Sequence, residues 1–114
     1  MSRALAASLV ALVLAVPASA REVTPEADKV MWCASAFFWL AGSADDAGDA
    51  DEAELYDGWA NQLTERGTAL LTTSGFDLAR TQEIIGEYDA LVLDELASEK
   101  PRYDVATCPE LVAE

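Results

Sequence analysis

The chain has 114 residues, 52% of them hydrophobic, and sets 21 acidic side chains against seven basic ones for a net charge of −14 at pH 7. That length holds one domain, and that charge excludes nucleic acid and anionic membrane surfaces as natural partners, since both are negative themselves. Histidine is absent, which removes the usual general base near neutral pH, the commonest metal ligand and every Ser-His or Cys-His nucleophile system.

Residues 1–20 read as a cleaved signal peptide. Arg3 supplies the positive start, Ala4 to Val16 form an uncharged run of 13 residues, Pro17 breaks it, and Ala18-Ser19-Ala20 is a cleavage site of small residues. The run falls short of the roughly 20 apolar residues that a membrane span needs. A twin arginine is missing, and no cysteine follows the run directly, so the general secretory route to the periplasm is expected, with no membrane span after cleavage. Residues 21–114 form the expected single helical domain. Losing Arg3 leaves six basic residues against 21 acidic ones, a charge of −15.

The first helix is predicted to start at Thr24, a good N-cap, with Pro25 at the first helical position, where its missing N–H costs nothing. Glu26 and Asp28 suit the positive end of the helix dipole. Gly42 is the expected stop. Val30, Cys33, Ala34, Phe37 and Ala41 follow the spacing of a core face. Trp32 and Trp39 project from the opposite side, and Met31 and Phe38 fill a flank. A helix apolar nearly all round is normally buried on several sides.

Residues 42–51 read as an acidic linker. A second helix follows from about Glu52 to Thr73, with Leu55, Tyr56, Trp59, Ala60, Leu63, Gly67, Leu70 and Leu71 in one stripe. Gly75 terminates it, and Asp77 caps a third helix that runs to about Ser98. There Ile84, Ile85, Tyr88, Leu91, Val92 and Leu96 share one side, while Glu83, Glu87 and Asp94 lie on the other. Pro101 ends the helix, and the tail returns Cys108 towards the first helix, with a last short turn after Pro109. Two cysteines in an exported chain are expected to pair. Closing that loop would stabilise the fold by roughly 4 kcal/mol in the chain-entropy model. The expected fold is therefore all-α: a small three-helix up-down bundle whose C-terminal tail is pinned to helix one by Cys33–Cys108.

Little here points to chemistry. With both cysteines oxidised no soft metal ligand remains, no S-x-x-K motif supports a Ser–Lys pair, and carboxylate pairs are too common in this chain to mark a glycosidase. No enzyme activity and no cofactor are expected. Asp45, Asp46, Asp49, Asp51, Glu52 and Glu54 crowd residues 42–54, but the EF-hand order is absent. They read as a solvated linker rather than a Ca²⁺ site. The informative feature is the two-sided apolar helix. Trp32 and Trp39 either pack under the tail and linker or face a groove for another protein, and tryptophan is a typical interface anchor. Candidate partner contacts are Trp32, Phe38 and Trp39 on helix one, with Glu83, Glu87 and Asp94 offering an acidic face to a basic partner.

A signal peptide, about 90 mature residues, all helix and one long disulfide loop together resemble the small periplasmic acid-stress chaperones of the HdeA type. Cys33 in an apolar helix and Cys108 near the end carry that resemblance. It implies a protein that acid unfolds or dissociates, exposing apolar surface to client proteins. The format also resembles small helical periplasmic immunity or inhibitor proteins, which would occupy the cleft of a basic enzyme. The reading from the residues is an exported, non-enzymatic protein that binds another protein.

Overall fold

A computed structural model describes residues 22–112, so the signal-peptide segment lies outside the described residues. Four α-helices and a 3₁₀ turn follow in order: α1 (Pro25–Asp46), α2 (Ala50–Thr73), α3 (Leu78–Ala97), the turn Val105–Thr107 and α4 (Pro109–Val112). No strand occurs among the described residues. No helix there is long and apolar enough to cross a membrane.

Local chemistry sets the helix ends. Thr24, Asp49 and Asp77 are N-caps, their side-chain oxygens accepting the backbone N–H of Ala27, Glu52 and Arg80 at 3.2, 3.1 and 2.8 Å. Helix α1 does not stop at Gly42. A glycine inside a helix costs only about 1 kcal/mol, and the left-handed position falls instead on Gly48, at φ 80°. Gly48 and Asp49 donate to the carbonyls of Asp45 and Ala44, closing a Schellman motif. The expected ten-residue linker therefore shrinks to residues 47–49, and most of its acids become the last turn of α1 and the first of α2. Gly75, at φ 97°, ends α2 in the same way, as expected. Helix α3 ends likewise with Glu99, a non-glycine residue, at φ 58°.

The all-α bundle is built around α1. Every residue from Val30 to Phe37 is buried, which suits a helix without a polar face. Helix α2 runs antiparallel along it: Glu26 meets Arg66, Met31 faces Gly67, and Phe37 packs on Trp59 at 5.2 Å between ring centroids. The two helices approach closely at Gly67. A Cβ on Gly67 would run into Met31 Sδ.

Helix α3 lies across α1 rather than along it. On one flank of α3, Ile84 and Tyr88 share a pocket with Val23, at the entry to α1; on the other, Ile85 and Asp89 share one with Phe38. The tail closes the same side. Cys33 and Cys108 are bonded, with Cα atoms 5.6 Å apart, and both are fully buried. Arg66 Nη1 donates to the carbonyl of Leu111 at 3.0 Å, tying α4 to α2.

Candidate functional site

The two halves of α1 meet different surroundings. In the first half, the side of Trp32 is closed by a polar latch. Its indole N–H donates to Glu95 Oε1 at 3.1 Å, and Tyr103 of the tail stands edge-on to it at 5.6 Å. Glu95 also accepts from the Arg102 backbone N–H, Nε and Nη2 at 2.9, 3.0 and 2.8 Å. Asp28 accepts from the hydroxyls of Tyr88 and Tyr103 at 2.5 and 2.6 Å and from Arg102 Nη1 at 3.1 Å. Two carboxylates thus gather donors from α1, α3 and the tail.

The electrostatics follow this geometry. Burial pushes the Glu95 carboxyl up, but the hydrogen bonds from Arg102 and Trp32 outweigh it and hold the group below its ordinary value. Burial and the bond to Asp28 push the Tyr103 hydroxyl up to about 12, and the same causes raise Tyr88 further. The Arg102 guanidinium is raised by its pairing with Glu95.

The second half of α1 is open. Phe38 is 50% exposed, Trp39 is half-buried, and their rings meet edge-on at 5.0 Å. Trp39 donates its indole N–H to the backbone carbonyl of Asp89 at 2.9 Å, which fixes the ring with one side towards solvent. Beside these rings an open groove of about 530 Å³ runs between α1 and α2. Its walls include Phe38, Trp39, Ala41 and Ala53, and its rim carries Asp45, Glu54 and Asp57. A smaller recess of about 140 Å³ lies on another side of Phe38, shared with Asp57 and reaching Ser35, Asn61 and Asp89.

Charge is distributed as unevenly as exposure. From Val30 to Glu65 the chain contains no Lys or Arg, while Asp45, Asp46, Asp49, Asp51, Glu52, Glu54, Asp57 and Glu65 all fall in that stretch. Among the described residues the arginine ion pairs lie elsewhere, Arg66 with Glu26, Arg80 with Glu83 and Glu87, and Arg102 with Asp28 and Glu95. No group of three acids, cysteines or histidines there is placed to hold a metal ion.

The candidate contacts therefore fall in different places. Trp32 is fully buried under the tail, the first of its two expected arrangements; Tyr103 and Glu95 occupy the side it would have presented to a partner, so it is not available as a partner contact. Phe38 and Trp39 form one surface. Glu83, Glu87 and Asp94 are exposed on α3, but Glu87 lines a separate recess with Val23 and Phe76 and bonds Arg80 at 2.7 Å. They do not join Phe38 and Trp39. Sequence periodicity missed Asp89, whose position depends on how α3 crosses α1. The basic-free run from Val30 to Glu65 was the available signal for the acidic rim. Comparison with protein-family models, with curated proteins and with solved structures finds no match.

Proposed function

We propose that the chain is an exported, non-enzymatic protein that works in the periplasm by binding another protein, and that it does so with the open half of α1. One observation carries this reading: Phe38 and Trp39 form an apolar surface beside a groove whose acidic rim has no ion pair among the described residues. Partly exposed aromatic rings beside a concavity are the usual anchors of protein recognition. The negative rim would draw a partner of opposite charge and reject acidic competitors. Occupying the cleft of a basic enzyme, as an immunity or inhibitor protein does, is one form this binding could take. The test is capture of partners from a periplasmic extract by the mature protein and by Phe38→Ala and Trp39→Ala variants whose helicity is unchanged. Loss of the same captured protein from both variants is expected. Equal capture by wild type and both variants contradicts the reading.

A second reading, an acid-stress chaperone, is favoured by the latch. Asp28 and Glu95 hold α3 and the tail over Trp32 as hydrogen-bond acceptors, a role that protonation weakens. Loosening of residues 99–107, with Cys108 still held by the disulfide, would uncover apolar surface around Trp32. Dye binding and client aggregation at about pH 2–3, below the ordinary carboxylate range and low enough to reach a carboxyl held under it, test it; no new apolar surface and no client protection would end it.

A further inference from the structure

The recess beside Phe38 adds chemical detail to the proposed groove. Asp89 is half-buried, and its Oδ1 accepts the Ser35 hydroxyl at 2.7 Å, which orients the carboxylate. It has no ion pair among the described residues. Asp57 borders both the recess and the larger groove. Two carboxylates therefore flank an exposed aromatic ring, in a recess of about 140 Å³ that also presents Ser35, Asn61 and Thr64, a polar lining that suits a charged head group.

We infer that this recess seats an arginine or lysine side chain of the docked partner, between Asp57 and Asp89 and against the face of Phe38, while a neighbouring apolar side chain of the same segment fills the larger groove. The occupant is thus a basic amphipathic segment of another protein. This rests on the groove being the binding surface. The argument is one of complementary chemistry. A guanidinium can bond an oriented carboxylate and also lie on an aromatic ring, an arrangement favoured by charge and by the ring quadrupole together. No basic residue lies between Val30 and Glu65, the stretch of α1 and α2 that carries Ser35, Phe38 and Asp57, and none lines the recess. The larger groove offers Phe38, Trp39, Ala41 and Ala53 to the apolar neighbour.

The experiment titrates the mature, oxidised protein with a designed helical peptide bearing leucines on one face and arginines one turn away. A second peptide replaces those arginines with glutamine. Binding is read by calorimetry and by Trp fluorescence. The arginine peptide should bind at least about tenfold more tightly than the glutamine peptide, with the advantage shrinking as salt rises from about 20 to about 200 mM. An Asp57→Asn/Asp89→Asn variant should lose that advantage; asparagine at 89 can still accept from Ser35, so α3 keeps its seat. Equal binding of the two peptides, or an advantage untouched by the double variant, overturns the basic seat. If both peptides still lose affinity in Phe38→Ala, the groove itself survives that result. Binding indifferent to Phe38→Ala contradicts the groove as well.

Discussion

Trp32 and Trp39 sit seven residues apart on one helix and have different fates. Trp32 is fully buried under Tyr103 and bonded to Glu95, while Trp39 is pinned by one hydrogen bond and borders an open groove. The difference comes from what lies over each. The first half of α1 is enclosed by α2, α3 and the tail, with a close apolar contact on one side and a carboxylate latch on the other. The second half runs on past Gly42 to Asp46 with apolar surface left uncovered. On the proposed reading, a single apolar helix serves as the core of a small domain at one end and as a recognition surface at the other. If so, changes in the sealed half should cost stability, and changes in the open half should cost binding.

The largest stability effect is expected from the disulfide. Replacing Cys33 and Cys108 together by alanine should lower unfolding free energy by about 4 kcal/mol, the loop-closure value for a crosslink of this span, measured by urea denaturation. Next is the close contact with α2. Gly67→Ala forces a methyl group against Met31 Sδ; overpacking of up to about 3 kcal/mol, offset by the roughly 1 kcal/mol alanine gains over glycine in a helix, should leave a net cost of about 2 kcal/mol. Because this contact is apolar, its cost should be the same at pH 7 and pH 5.

The latch should behave differently. Glu95→Gln removes the charge from four accepted bonds and should cost about 2 kcal/mol, as for hydrogen bonds to charged groups. The folded carboxyl is held below its ordinary value. Its contribution is therefore complete above the unfolded-state value and is lost as pH falls through the folded one. Stability curves of wild type and Glu95→Gln should converge on acidification through the carboxylate range, and parallel curves would contradict the latch. The smallest stability effect belongs to the open half. Phe38 is already half exposed, so Phe38→Ala should cost about 1 kcal/mol or less by area, while removing partner binding.

Much of the sealed half was legible in the chain. The Thr24, Asp77 and Gly75 signals lie where capping chemistry requires them, the disulfide joins the two cysteines expected to pair, and the charge-free stretch after Val30 announced burial on several sides. The end of α1 was not legible, because Gly42 and Gly48 are both plausible stops and only the backbone bonds from Gly48 and Asp49 distinguish them. Nor was the fate of the two tryptophans. Periodicity assigns faces within a helix, but Trp32 is sealed by Glu95 and Tyr103, which lie far along the chain. The Asp89 seat depends in the same way on the crossing of α1 by α3.

The most direct test of the division is residue-resolved. Amide chemical shifts of residues 21–114 in the oxidised form, followed during titration with the arginine-bearing amphipathic peptide, report where the peptide lands. The account predicts changes concentrated in residues 38–46, 53–64 and around Asp89, with the amides of residues 27–33 and 102–108 nearly unmoved. Changes centred on Trp32 and the tail, with residues 38–46 silent, would contradict it.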